Sequence, residues 1–308
     1  MEFLPNETYT CYGRVDTANT SDGIVNYLVT LVDDTQLNIK VTDGRELVLG
    51  NVYSITFDCK FNGTRNSYTL KEAIDIFKCK LNDDVYKVFE KFFAYVPIGI
   101  PTLAEKLDNY LSMITNPVIK AICADIFNRY QHDFLIYPAA VKMHHNYIGG
   151  LAYHTLTMCD LAKAFSGIYD CVDLDLLIAG ALLHDISKII EFKGPTDSEY
   201  SIRGQLLGHL VLGAIEIDKT AERLGLQDAE EVLLLEHMLV SHHGQPIYGA
   251  CKKPETPEAL LLWIIDTIDS KMRVIDEKFI DVEPGTFSDA IGVLERMKFY
   301  KKKDSLKS

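Results

Sequence analysis

Residues 53–63 read YSITFDCKFNG. Tyr53, Ile55, Phe57 and Cys59 alternate with Ser54, Thr56, Asp58 and Lys60, so one face of the segment is apolar and the other polar, as in a strand with one buried side. Asn62-Gly63 then supplies hairpin chemistry, because both residues tolerate positive φ. Leu37, Ile39 and Val41 repeat the alternation, and Asp33-Asp34, Asp43-Gly44 and Gly50-Asn51 punctuate the runs. From Tyr9 to Ile76 the chain reads as about five short strands, which can close into a small β-barrel of the OB-fold kind, with an SH3-like barrel as the competing closure. Tyr12, Tyr27 and Tyr68 are then either stacking surfaces for a single strand of nucleic acid or barrel core and rim.

After Cys79 the period becomes helical. Asn82-Asp83-Asp84 is a capping cluster ahead of Val85, Val88, Phe89 and Phe92, which share one helix face. Pro101-Thr102 and Asn116-Pro117 mark further helix starts, and amphipathic stretches follow at 151–165, 174–183, 208–224, 229–241 and 256–272. Phe92 and Phe93 can bury themselves against the barrel or in a partner subunit of a homo-oligomer. The fold class expected is therefore α+β and multidomain, with a barrel over residues 1–80 and an all-α domain over 81–308.

Composition narrows the function. The 308 residues are 47% hydrophobic and 24% charged, as in an ordinary globular protein. The start, MEFLPNETYTC, has no basic stretch followed by an apolar one, and no run reaches the length of a membrane span. The seven cysteines are scattered without a CxxC pair, which argues against a disulfide framework and a thiolate zinc site. A cytoplasmic protein making no membrane contact is expected. The net charge of -13 argues against tight non-specific binding to duplex DNA, though not against a local basic channel.

All nine histidines lie between His132 and His243. Within them runs an ordered series: His154, His184-Asp185, His209, His242-His243, then Asp266. His184-Asp185 ends the apolar run LLIAGALLHD, where an ionisable pair is costly to bury unless a metal or strong hydrogen bonds compensate. Imidazole and carboxylate suit Mn, Fe, Co or Zn, and two ions sharing one carboxylate could clamp the attacking and leaving oxygens of a phosphate ester. A lone histidine is more often a core or surface residue, and His132 beside Asp133 reads as surface. The whole series has no such structural explanation.

The order H…HD…H…HH…D resembles the HD superfamily of metal-dependent phosphohydrolases. With its flanks HHNYIGGLAYHTL, AGALLHDISK, GQLLGHLVLG, HMLVSHHG and PETPEALLLWIIDTIDSKM, it is similar to the YhaM-type 3′-to-5′ exoribonucleases, which carry an OB-fold before the HD domain. The resemblance implies one divalent ion held by His154, His184, Asp185 and Asp266. Asp185 would bridge to a second ion held by His209 and His242, with His243 a further candidate. Mn²⁺ is favoured, and Co²⁺ and Fe²⁺ are the alternatives. The implied substrate is single-stranded RNA, with single-stranded DNA as a second polymer, shortened from the 3′ end to release nucleoside 5′-monophosphates.

Asp269, one turn after Asp266, reads as a supporting or solvated carboxylate, and His237 as a structural residue or a support to the site. Asp185 and Lys188 are the catalytic candidates: Lys188 either neutralises a phosphate oxygen or is an exposed helix-end lysine. Lys142, His144 and His145 precede Gly149-Gly150 and are expected either to line the substrate entry or to cap a loop. The family's HDIGK stands here as His184-Asp185-Ile186-Ser187-Lys188, and LAYHT replaces the more acidic LLEHT beside His154. The basic stretch KFYKKKDSLK near the C-terminus could touch phosphates or stay solvated. Two rival readings remain: an HD enzyme acting on a small nucleotide, and a non-enzymatic OB-fold protein with a structural metal site.

Overall fold

A computed structural model of the chain describes residues 3–21, 24–140, 147–196 and 199–303. It divides into two compact units, Met1–Tyr95 and Val96–Ser308.

In the first unit β1 (Glu7–Ser21), β2 (Ile24–Leu31), β3 (Gln36–Val41), β4 (Val52–Phe61) and β5 (Asn66–Asp75) close into a barrel in the order β1-β2-β3-β5-β4. The long β1 serves two neighbours. It pairs with β4 over Glu7–Arg14 and with β2 over Gly13–Ser21, the register shifting between Val15 and Thr17. β3 and β5 pair in parallel, Ile39 opposite Tyr68. Closure removes the free edges that open sheets must protect, and the five-stranded arrangement fits an OB-fold.

The period-two residues face inward as expected: Val29, Leu31, Ile39, Ile55, Phe57 and Cys59 are buried. Tyr27 shares their phase and belongs to this core, its hydroxyl accepting from Leu47 N at 3.0 Å. Tyr68 packs edge-on to Phe3 and Phe57. Tyr27 is therefore barrel packing and not a stacking surface, whereas Tyr12 and Tyr68 are half-buried, Tyr68 with part of its ring against the core.

Asn82 caps α1 (Asp83–Phe92) by accepting from the Asp84 and Val85 amides. α1 groups with the barrel in the first unit, which runs to Tyr95. The physical reason is aromatic packing: Phe89 stacks on Phe77 at 5.7 Å, Phe93 lies 5.1 Å from Phe77, and the Arg14 guanidinium lies over Phe92. Phe92 and Phe93 thus pack within their own chain.

The second unit is helical: α2 (Ile100–Met113), α3 (Pro117–Ile136), α4 (Gly150–Ser166), α5 (Leu174–Leu183), α6 (Lys188–Glu191), α7 (Ile202–Leu224), α8 (Glu230–Ser241) and α9 (Pro257–Phe279). α5 is buried along Leu176–Leu183 and packs against α4, α8 and α9. A helix apolar on all sides must lie inside a bundle, and α5 does. His132 lies on α3, partly exposed, its Nδ1 3.1 Å from Asp133 Oδ1. Beyond α9, Ile291 and Leu294 pack on Val274. Lys301 of the basic stretch donates to the carbonyls of Phe279 at 2.5 Å and Val282 at 2.7 Å. Its ammonium therefore closes the end of α9. No helix among the described residues is long and apolar enough to cross a membrane.

Candidate metal centre

Five elements deliver the histidine-aspartate series to one place. His154 sits in the first turns of α4, His184-Asp185 follow the last turn of α5, and His242-His243 follow that of α8. Asp266 lies inside α9. His209 stands just after a break in α7 where Gly208 adopts φ 70° and ψ 163°. The buried ends of apolar helices thus carry the most polar groups of the unit.

Every imidazole of the series is held by its Nδ1. His184 Nδ1 lies 2.8 Å from Ala181 O, His242 Nδ1 2.7 Å from Leu239 O, and His243 Nδ1 2.9 Å from Tyr248 O. His154 Nδ1 lies 2.7 Å from Asp269 Oδ2, and His209 Nδ1 lies 3.1 Å from Glu191 Oε2. A carbonyl or carboxylate acceptor requires the proton on Nδ1, which leaves the Nε2 lone pair for a metal.

Those Nε2 atoms surround Asp185. Its Oδ2 lies 3.1 Å from His184 Nε2 and 4.0 Å from His154 Nε2; its Oδ1 lies 3.4 Å from His209 Nε2 and 3.9 Å from His242 Nε2. Asp266 Oδ1 lies 3.3 Å from His154 Nε2. Ligands about 2.0–2.2 Å from a shared ion stand roughly 3–3.5 Å apart, which the contacts of Asp185 with His184 and His209 and of Asp266 with His154 match, while His154 and His242 stand slightly further from Asp185. Two groups offer ligand atoms that all lie within 4.8 Å of one another, His154-His184-Asp185 and His209-His242-His243.

His184 Nε2, Asp185 Oδ1 and His209 Nε2 are buried without a hydrogen-bond partner; among the described residues Thr155 Oγ1 is the one other such side-chain atom. Orphaned buried polar atoms are costly, and three converging in one cluster fit a set of cation ligands.

The electrostatics agree. Burial pushes the Asp185 carboxyl up, but His184 and Lys188 outweigh it and hold the group well below the usual carboxylate range. Asp266 is likewise lowered against burial by His154. Burial holds the His242 and His243 imidazoles below their ordinary value, with further lowering from neighbouring histidines. Ionised carboxylates and neutral imidazoles are the forms that bind metal. His154 differs: burial lowers its pKa, but Asp266 and Asp269 outweigh burial and lift it to about 9.

Lys188 is not an exposed helix-end lysine. Its Nζ lies 2.6 Å from Asp185 Oδ2 and donates to Ala139 O at 2.6 Å, with a largely buried side chain. It lines a cavity of about 200 Å³ together with His154, Asp185, His242, His243 and Asp266. Lys142, His144 and His145, expected at the substrate entry, lie outside the described residues. Ser187, where the family pattern has glycine, has ordinary helical angles (φ -76°, ψ -3°) and donates its hydroxyl to His209 O at 2.6 Å. Beside His154, Tyr153 carries the Arg273 guanidinium over its ring at 4.4 Å.

His237 stays apart, its Nε2 accepting from Glu255 N at 2.9 Å. Asp269 is buried behind His154 and not solvated. Glu191, 6% exposed, escaped the sequence reading altogether. Its one signal is its place one turn after Lys188, on the helix that starts three residues beyond Asp185.

Residues 151–271 match the HD domain family, from the start of α4 through most of α9. The match takes in every histidine and aspartate of the cluster and leaves the barrel outside. No solved structure matches the chain. The HD domain and its His/Asp cluster together support a metal-dependent phosphohydrolase that uses a divalent metal.

Proposed function

We propose that the chain is a 3′-to-5′ exoribonuclease that releases nucleoside 5′-monophosphates from single-stranded RNA, with single-stranded DNA as a second polymer. The proposal includes two divalent ions, Mn²⁺ before Co²⁺ or Fe²⁺. The observation that carries the two-ion part is the division of Asp185: Oδ2 faces His184 and His154, Oδ1 faces His209 and His242. Bound ions would supply a water of lowered pKa and neutralise charge on the phosphate oxygens.

The rest falls to the chain's own groups. His154, His184 and Asp266 would hold one side of Asp185, and His209, His242 and His243 the other. Lys188, anchored between Asp185 and Ala139 O, keeps Asp185 ionised and places one ammonium at the cavity wall. The cavity of about 200 Å³ is smaller than the roughly 300–1,000 Å³ of pockets that enclose whole ligands. That size suits a terminal phosphodiester. A barrel of OB-fold type is a natural platform for a single strand, which favours a polymer substrate.

A small-nucleotide substrate is the second reading. It is favoured by the net charge of -13 and by Lys188 being the sole Lys or Arg among the described residues lining the cavity. Digestion of 5′-labelled single-stranded RNA and DNA with Mn²⁺, with EDTA and with Asp185→Ala separates them. A metal-dependent ladder shortening from the 3′ end, lost in the variant, supports the exonuclease. Metal-loaded protein that leaves the oligonucleotides intact but cleaves nucleoside triphosphates or cyclic dinucleotides supports the second reading. Metal-loaded protein inert toward all of them points to a non-enzymatic metal centre.

A further inference from the structure

The break in α7 exposes a backbone group that needs a partner. In an unbroken helix the His209 N–H would point at the carbonyl of Gln205. The angles of Gly208 (φ 70°, ψ 163°) end that ladder and start a new helical segment at His209. Glu191 Oε1 accepts this orphaned N–H at 3.0 Å and also lies 3.2 Å from His209 Nδ1, while Oε2 lies 3.1 Å from the same nitrogen. One carboxylate thus caps the new segment and fixes the imidazole it carries, with an anion at a helix N-terminus where it is favoured. Ser187 Oγ holds the other side of the residue, donating to His209 O at 2.6 Å.

Glu191 is itself held. Its carbonyl accepts from Ser201 N at 2.8 Å, and a Cβ on Gly204 would lie 2.3 Å from that carbonyl oxygen, so only glycine lets α7 pass so close. The carboxylate is buried yet belongs to neither ligand group, and the N–H and Nδ1 of His209 are the partners that offset its desolvation.

We infer that Glu191 is the positioning residue for His209: it dictates the Nδ1–H tautomer and aims Nε2 at Asp185 Oδ1, separately from Asp269, which does the same for His154. The two halves of the centre then have independent supports and can be weakened one at a time. This rests on the two-ion reading proposed above for its metal test, but not for its tautomer test.

In metal-free protein, long-range ¹⁵N–¹H imidazole spectra should show His209 as the Nδ1–H tautomer in the wild type. Glu191→Ala should convert it toward the Nε2–H form that an unconstrained imidazole prefers, leaving His184 and His242 unchanged. Titration with Mn²⁺ should then show one of two ions weakened about 10–100-fold and the other unaltered. Glu191→Gln, whose amide oxygen still accepts, should recover part of that loss. A folded Glu191→Ala protein that keeps the Nδ1–H tautomer overturns the inference, as does equal weakening of both ions. Should Glu191→Ala not fold, Glu191→Gln decides: a loss of about threefold or more at one ion supports the role, and wild-type affinity at both overturns it. A wild type that binds a single ion overturns the two-ion reading and leaves the tautomer of His209 to judge Glu191.

Discussion

His154 Nδ1 and Asp269 Oδ2 lie 2.7 Å apart, both buried. The carboxylate fixes which ring nitrogen faces the cluster and makes the imidazole a better donor. Asp269→Asn keeps the shape but loses the charge. We expect it to weaken divalent-ion binding about 10–100-fold, measured by Mn²⁺ titration of metal-stripped protein. Unchanged affinity in a folded variant would reduce Asp269 to a packing residue.

Lys188 and Asp185 form a buried ion pair, and Asp185 also faces four imidazoles. Removing one partner of such a pair leaves an uncompensated charge. Lys188→Met should destabilise the metal-free protein by about 3–5 kcal/mol in urea unfolding, and added Mn²⁺ should restore part of it. A loss below about 1 kcal/mol is the behaviour of a surface pair and would contradict the burial argument.

Gly244 follows His243 at φ 73°, and a Cβ there would lie 2.0 Å from Trp263 Cε2. Gly244→Ala combines left-handed strain with overpacking, together about 2–5 kcal/mol. Trp263 is the single tryptophan, so its fluorescence reports the displacement directly. An unshifted emission spectrum together with wild-type stability would show that the loop absorbs the methyl group without moving.

Asp175 ties α5 to the start of α3, accepting from Thr115 N at 2.8 Å, Thr115 Oγ1 at 2.8 Å and Asn116 N at 2.6 Å. Burial pushes its carboxyl up, but the hydrogen bonds, that from Asn116 foremost, outweigh burial and hold it below its ordinary value. A lowered folded pKa stabilises the protein above the unfolded pKa of about 3.9, and that stability disappears as pH falls through the folded value. The stability gap between wild type and Asp175→Asn should therefore be full near neutrality and shrink below about pH 4. A gap constant across that window would assign the effect to shape alone.

How much of this was legible follows from what leaves a trace in residue types. The ordered histidines and aspartates, the apolar run before His184-Asp185 and the alternation of β4 are all patterns of side chains, and each predicted its place. The Nδ1 acceptors of His184, His242 and His243 are backbone carbonyls of Ala181, Leu239 and Tyr248, which no residue type marks. Glu191 reads as an ordinary surface glutamate because its burial depends on the close approach of Gly204, thirteen positions further along the chain. Tyr27 was decidable, since it shares the phase of Val29 and Leu31. The attachment of α1 to the barrel was not, since the ring contacts of Phe77 with Phe89 and Phe93 appear only once the chain has turned at residues 79–82.

The most direct test of the centre is an anomalous-difference map from crystals of the protein grown with Mn²⁺. Two peaks, one beside each carboxylate oxygen of Asp185 and each flanked by its own histidines, are the result predicted. A single peak, or none in protein that is folded and supplied with the ion, would contradict the division of labour assigned to Asp185.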